Sequence, residues 1–183
     1  MKDELRYKYK IKRKYFQHAQ REVADGAIAD NVLALFGDKN TFFIYYSFGA
    51  EADTKKLIAS LISLGKRVLL PRVEGDEMVP VEYHLNDELK KSAFGTLEPQ
   101  GQAYTGTIDV ILVPLLAVNS RGYRLGYGGG YYDRFLKNSS AVKAGLGYSF
   151  QLTDEFSEDG WDEPLDLFIT EKGVYSFGNS TDV

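Results

Sequence analysis

In the first part of the chain, apolar residues recur at helical spacing and are followed by one continuous apolar run. This pattern predicts helices and then a strand. The spacing between residues 3 and 23 predicts an amphipathic helix, with apolar positions at Leu5, Tyr9, Phe16, Ala19 and Val23. Asp25 is a residue type that caps helices, and it predicts a second helix that Gly37 closes. The run Thr41–Tyr46 is apolar on both faces, as expected of a central strand.

The same alternation continues to the end of the sequence. Asp53 or Thr54 is expected to cap a third helix that Gly65 closes. Further strands are predicted at Arg67–Pro71, Met78–Leu85, Val110–Val113, Lys143–Tyr148 and Leu165–Thr170, and a short helix at Tyr131–Lys137. This order predicts an α/β protein with three α/β/α layers, a mostly parallel central sheet and helices on both faces. No repeat or linker divides the sequence, so residues 1–183 are expected to form a single domain.

Composition narrows the class of protein. The chain has 183 residues, 44% of them hydrophobic and 26% charged, which is ordinary for a globular protein with one core. It contains no cysteine, which excludes disulfides, zinc thiolates and a cysteine nucleophile. The charged N-terminus does not resemble a signal peptide, and no apolar run could cross a bilayer. We therefore expect a cytoplasmic protein without a membrane partner.

The net charge of −4 is unevenly distributed. Residues 2–21 are strongly basic, whereas an acidic surplus lies between Asp154 and Asp166. A basic first helix could attract nucleic acid, a nucleotide or a polyanionic cofactor tail, although a solvated helix face explains most of these lysines. Lys2 and Arg6 stand apart because they are one helical turn from each other and share a face.

The segment Gly122–Arg134 is dense in glycine and follows a predicted strand. Such glycines let the backbone adopt positive φ and approach a ligand closely. Arg124 could grip phosphate oxygens with its forked guanidinium, and Asp133 could hold a divalent cation. The segment ends in Gly-Tyr-Tyr-Asp, so it is neither a P-loop nor a dinucleotide fingerprint. It predicts a phosphate site of another type, the alternative being a glycine-rich turn beside packed aromatic residues.

Other polar residues follow the predicted strands. Ligands of open α/β sheets bind at the carboxyl ends of the strands. Tyr46 and Glu51 follow one predicted strand and Arg72 follows another. We expect these residues, the glycine-rich segment and Asp166 to surround one crevice. Alternatively, Tyr46 is a core aromatic residue and Asp166 is only a strand-start or turn residue.

Arg124–Arg134 resembles the signature of the 5-formyltetrahydrofolate cyclo-ligase family, also called methenyltetrahydrofolate synthetase. Shorter matches occur in the same order along nearly the whole chain, at Lys2–Arg6, Glu51–Thr54, Leu70–Arg72, Glu98–Pro99, Val113–Pro114 and Leu165–Glu171. One departure follows Pro114, where family members commonly carry Gly-Leu-Ala-Phe-Asp and this chain has Leu115–Asn119.

The resemblance implies an ATP- and Mg²⁺-dependent cyclisation of 5-formyltetrahydrofolate to 5,10-methenyltetrahydrofolate. ADP and phosphate would be released after a phosphorylated formyl intermediate. It implies ATP contacts from Lys2, Arg6, Arg124, Leu125, Gly126, Tyr127, Gly128, Gly129, Gly130, Tyr131 and Tyr132. It implies folate contacts from Tyr46, Glu51, Tyr127, Gly128, Gly129, Gly130 and Tyr131. Asp133 and Asp166 would hold Mg²⁺, and Arg124 would stabilise charge without any covalent nucleophile.

Two other functions remain open from the sequence. One is a non-catalytic nucleotide- or RNA-binding module that uses the basic helix and exposed tyrosines. The other is an enzyme of similar layered fold that acts on sugar phosphates without ATP. The acidic total charge argues against the first, and the second gives Lys2 and Arg6 no role. Small-molecule partners are therefore expected, without nucleic acid or an obligate protein partner.

Overall fold

The computed structural model describes residues 1–178. Its helices are α1 (Lys2–Lys14), α2 (His18–Leu35), α3 (Lys55–Ser63) and α4 (Tyr131–Lys137), with a 3₁₀ turn at Ser149–Gln151. Its strands are β1 (Thr41–Ile44), β2 (Arg67–Glu74), β3 (Glu77–Tyr83), β4 (Lys90–Lys91), β5 (Leu97–Glu98), β6 (Val110–Val113), β7 (Ala117–Val118), β8 (Arg124–Leu125), β9 (Val142–Leu146), β10 (Leu167–Thr170) and β11 (Gly173–Ser176). Among these described residues, no helix combines the length and apolar character needed to span a membrane.

Seven strands of the described residues form the main sheet, in the order β11-β10-β9-β6-β1-β2-β3. The five inner strands are parallel, while β11 and β3 close the two edges as antiparallel partners of β10 and β2. Two small ribbons, β4 with β5 and β7 with β8, lie outside this sheet. The expectation of a mostly parallel central sheet is confirmed.

Successive side chains of the inner strands enter two separate cores. Phe42 belongs to a cluster with Ile28 of α2 and Leu57 of α3. Its neighbour Phe43 belongs to a second cluster with Leu136 of α4. Because consecutive strand residues point to opposite faces, α2 and α3 cover one face and α4 covers the other. The three predicted layers are thus present.

The helix expected over residues 3–23 is wrong, because the chain breaks between α1 and α2. The Arg21 guanidinium donates to the backbone carbonyl of Arg13 at the end of α1, where a positive charge stabilises the helix terminus. Asp25, expected to cap a helix, lies inside α2, where its carboxylate accepts a hydrogen bond from the Tyr148 hydroxyl at 2.7 Å. Tertiary contacts have overridden the local capping signal.

The charge asymmetry of the sequence has a structural counterpart. The acidic segment after residue 153 lies against the basic helix α1. Lys2 pairs with Asp159, and the Tyr9 hydroxyl donates to Glu155 at 2.9 Å. Lys8 pairs with the same glutamate. Two cations of α1, Lys2 and Lys8, are therefore neutralised by acidic residues of this segment.

Candidate active site

A cleft of about 730 Å³ opens at the carboxyl ends of β1, β2 and β6. Its walls are largely aromatic, and the aromatic residues are Tyr45, Tyr46, Phe48, Phe94, Tyr127, Tyr131 and Tyr132. Six charged residues also line it, namely Lys10, Arg13, Lys14, Glu51, Glu98 and Arg124. An apolar slot with a few convergent polar groups is the usual form of a small-molecule site, and its aromatic walls suit a planar ligand.

The glycine-rich segment forms one wall of this cleft and leads into α4. Gly128 and Gly130 have φ of 104° and 71°, which strongly favours glycine, and Gly130 precedes the first residue of α4. At Gly126, an added Cβ would lie 2.5 Å from Nη1 of Arg124. The glycines therefore provide both the turn and the room that Arg124 occupies.

Arg124 places a buried positive charge on this wall. Its Nη1 donates to the Pro114 carbonyl at 3.4 Å, and its guanidinium lies 5.1 Å from the ring centre of Tyr132. Its Nη2 is 3.8 Å from Asp133, and its Nε has no hydrogen-bond partner in the described residues. Buried guanidinium groups are normally paired and hydrogen-bonded, so this one suits an additional anion.

The two candidate metal ligands have different surroundings. Asp133 lies 3.8 Å from Nη2 of Arg124 and accepts a hydrogen bond from the backbone N–H of Glu163 at 3.3 Å. Asp166 directly precedes β10, and its carboxylate accepts a hydrogen bond at 2.8 Å from the backbone of Lys143, at the amino end of β9. Neither aspartate is among the residues that line the cleft, and Asp166 is a strand-start residue, so a role for it in metal binding stays a prediction. Within residues 1–178, no three acidic, histidine or cysteine side chains form a metal-binding group.

Helix α1 lies along the glycine-rich wall. Nε of Arg6 donates to the Gly126 carbonyl at 2.9 Å, and Nη1 pairs with Asp3 at 2.7 Å. Lys2, one turn earlier, is held by Asp159. The structure thus places Arg6 directly on the loop that follows Arg124.

The opposite end of the cleft is formed by the loop after β1. Glu51 accepts hydrogen bonds from the backbone N–H of Phe48 at 2.8 Å and from the Tyr127 hydroxyl at 2.9 Å. Burial raises the pKa of the Glu51 carboxyl, while these hydrogen bonds act in the other direction. Tyr46 lies beside it, half-buried and packed edge-on against Tyr83 at 6.5 Å between ring centres.

Residues 1–171 match the family model described as the 5-formyltetrahydrofolate cyclo-ligase family. The chain belongs to this family. The cyclo-ligase of Haemophilus influenzae is 32% identical over 158 residues, covering 80% of this chain and 84% of that protein. The cyclo-ligase of Mycoplasma pneumoniae is 30% identical, with 93% and 99% covered.

Solved structures of the same family share this fold. The structure of Aquifex aeolicus 5,10-methenyltetrahydrofolate synthetase superposes with a TM-score of 0.86 at 34% identity, covering 100% of this chain and 95% of that one. A 5,10-methenyltetrahydrofolate synthetase from Mycoplasma pneumoniae gives a TM-score of 0.75 at 28% identity. The family resemblance inferred from the motifs is confirmed.

Three side chains of this cyclo-ligase family member differ from the sequence-based picture. Leu125 is 2% exposed and packs with Tyr9 in a cluster under α1, so its side chain faces away from the cleft. Arg72 is turned toward Glu74, at 2.7 Å, instead of lining the cleft. Arg13 lines the cleft but was missed, although its helical spacing from Arg6 and Tyr9 was a usable signal.

Proposed function

We propose that this chain uses ATP and Mg²⁺ to cyclise 5-formyltetrahydrofolate to 5,10-methenyltetrahydrofolate, releasing ADP and phosphate. One observation supports this most strongly. In a chain of the cyclo-ligase family, a single aromatic cleft has the buried Arg124 guanidinium on one wall and the Glu51 carboxylate on another. The first suits a transferred phosphoryl group and the second suits the amino-pyrimidine edge of a pterin.

The chemistry explains why ATP is needed. The formyl group is a resonance-stabilised amide whose oxygen is a poor leaving group. Transfer of the γ-phosphoryl group to that oxygen gives an imidoyl phosphate, and the neighbouring amine nitrogen of the folate then attacks the formyl carbon. Ring closure breaks the carbon–oxygen bond and releases phosphate, so no side-chain nucleophile is required. In phosphoryl transfer the protein mainly positions the reacting groups and stabilises the charge that develops on the phosphoryl oxygens.

The residues divide between the two ligands. The glycine-rich wall, including Tyr131 and Tyr132, would contact the phosphates, with Arg6 and Lys2 extending this surface along α1. Tyr46, Glu51 and Tyr127 would contact the folate. Leu125 could contribute only through its backbone.

Asp133 is the carboxylate that fits a role in metal binding. Mg²⁺ neutralises phosphate oxygens when bound, and it commonly takes only one or two protein carboxylates together with water and phosphate. Asp133 is close to Arg124 and therefore close to where phosphate would lie. The Asp166 carboxylate already accepts a hydrogen bond from the backbone N–H of Lys143.

Turnover of the proposed substrates tests the function directly. Purified protein, 5-formyltetrahydrofolate and Mg-ATP should produce the methenyl chromophore, whereas omitting ATP or adding a chelator should abolish it. Absence of the chromophore with folded protein would contradict the proposal. Salt-sensitive RNA binding without turnover would favour the RNA-binding alternative. The salt bridges of Lys2 and Lys8 with acidic residues of the same molecule argue against that alternative.

Glu51→Gln is expected to weaken binding of 5-formyltetrahydrofolate about 10-fold while sparing ATP. The substitution keeps the shape but removes the charge that strengthens hydrogen bonds to the pterin. Calorimetric titration with each ligand measures both affinities. An unchanged folate affinity would mean that Glu51 only supports the loop through Phe48.

The double variant Lys2→Ala/Arg6→Ala is expected to weaken ATP binding about 10- to 100-fold and folate binding much less. Arg6 contacts the glycine-rich wall, and Lys2 lies one turn away on the same helix. Equilibrium titration with Mg-ATP measures the change. Lys12→Ala is the matched control, because Lys12 lies exposed on α1 outside the cleft. Equal ATP affinity in the double variant and this control would remove α1 from the nucleotide site.

A further inference from the structure

A chain of three side chains connects α1 with the loop after β1. Nη1 of Arg13 donates to the hydroxyl oxygen of Tyr127 at 2.8 Å, and that hydroxyl donates to Oε2 of Glu51 at 2.9 Å. All three residues line the cleft. Arg13 is only 6% exposed, yet the roles assigned above leave it without a part in the reaction.

The chemistry of the groups fixes the direction of these hydrogen bonds. A guanidinium can only donate, so Tyr127 must accept from Arg13, and its single proton is then directed to Glu51. The backbone N–H of Phe48 holds the other carboxylate oxygen at 2.8 Å. Both oxygens of Glu51 are therefore oriented by donors, while each retains a lone pair for a ligand.

We propose that Arg13 is a positioning residue for folate recognition, which acts through Tyr127 to hold Glu51 as an oriented carboxylate facing the amino-pyrimidine edge of the pterin. This inference rests on the proposed function, because it requires a folate in the cleft. Tyr127 thus serves as the link between a buried cation on α1 and the residue that touches substrate.

The ionisation of Glu51 depends on the same connection. Burial raises the pKa of Glu51, whereas the hydrogen bond from the Phe48 backbone, the hydrogen bond from Tyr127 and the positive charge of Arg13 lower it. The other ionisable groups that line or adjoin this cleft are Lys10, Lys14, Tyr45, Tyr46, Asp53, Glu98, Arg124, Tyr131 and Tyr132. Within residues 1–178, none of these nine side chains hydrogen-bonds to Glu51. Tyr127 therefore donates the side-chain hydrogen bond that, together with the Phe48 backbone N–H, favours the ionised form of Glu51.

A double-mutant cycle tests the connection. Calorimetric titration with 5-formyltetrahydrofolate would compare the wild type, Arg13→Gln, Tyr127→Phe and the double variant. Each single variant is expected to bind about 10- to 100-fold more weakly, and the double variant no more than about threefold below the weaker single one. Lys12→Gln removes a neighbouring positive charge of α1 outside the cleft and should leave the affinity unchanged.

The pH dependence supplies a readout that a packing defect would not move. Only the ionised carboxylate of Glu51 has two oxygens that act purely as acceptors, and its charge strengthens their hydrogen bonds, so folate affinity falls as pH decreases through its pKa. In Arg13→Gln and Tyr127→Phe this pKa is higher, so the loss should begin at a higher pH in titrations from about pH 8 down to about pH 5. Thermal unfolding and Mg-ATP titration of the same samples establish that the fold and the nucleotide site are intact.

The possible results separate this inference from the function on which it rests. Additive losses in the double variant, or wild-type folate affinity in folded Arg13→Gln, would overturn the role of Arg13. A wild-type protein that binds no 5-formyltetrahydrofolate would overturn the proposed function itself. Tyr127→Phe keeps the aromatic ring and tests the connection even if Arg13→Gln fails to fold.

Discussion

Arg124→Ala is expected to lower kcat about 100- to 1,000-fold while leaving the fold in place. The Arg124 guanidinium is 8% exposed, and its Nε has no hydrogen-bond partner among the described residues. Its pairing with Asp133 is long, at 3.8 Å. A positive charge held in this way can interact with phosphoryl oxygens as their charge develops, without waiting for solvent to reorganise. Removing it should therefore affect kcat more strongly than the KM for folate.

The control for this variant lies three residues earlier. Arg121 pairs with Glu158 at 2.7 Å on the surface outside the cleft, so Arg121→Ala should turn over at close to the wild-type rate. Arg124→Lys keeps the charge but loses the planar fork, and an intermediate rate is expected. Steady-state formation of the methenyl product, with circular dichroism and thermal unfolding, gives the comparison. Folded Arg124→Ala with kcat within about threefold of the wild type would contradict the assignment.

The parts of the fold that were predictable from sequence carry local signals. Val110–Val113 and Tyr131–Lys137 have the same bounds in the sequence prediction and in the structure, because a continuous apolar run and a preceding glycine define them. The break between α1 and α2 was not predictable in the same way. It is stabilised by Arg21, whose guanidinium reaches the carbonyl of Arg13 and also that of Ala50 at 2.8 Å. Such contacts form only after the helices pack.

In the candidate site, too, some residues could be predicted from local sequence signals and others depend on tertiary packing. Glu51 and Tyr46 follow a central strand, and the rule that ligands bind at carboxyl ends places them with the glycine-rich wall. The rule does not extend to Asp166, because this aspartate lies at the start of the predicted strand Leu165–Thr170 and directly before β10 in the structure. Arg13 was missed because its helix carries many cations. Its spacing from Arg6 and Tyr9 indicates a shared helix face, and the packing of α1, in which Nη1 of Arg13 donates to the Leu115 carbonyl at 3.2 Å, shows that this cation is the buried one.

Asp133→Asn is expected to lower kcat on the order of 100-fold and to raise the Mg²⁺ concentration needed for half-maximal rate. The substitution removes a negative charge beside Arg124 while keeping the shape of the side chain. Because an amide oxygen is a weaker ligand for a hard cation, higher Mg²⁺ should recover part of the rate. Titration of the rate with Mg²⁺ at saturating ATP measures both effects.

Asp166→Asn makes the matched comparison, since it is the same change at the other aspartate that the family motif implicates. Its amide oxygen can still accept the hydrogen bond from the Lys143 backbone, at the amino ends of β9 and β10, so both the fold and the Mg²⁺ requirement should remain close to wild type. If folded Asp133→Asn and folded Asp166→Asn both lose activity and show the same shift in Mg²⁺ dependence, Asp166 would have to be counted as a metal ligand. A selective loss in Asp133→Asn would instead assign the metal to the carboxylate that adjoins Arg124.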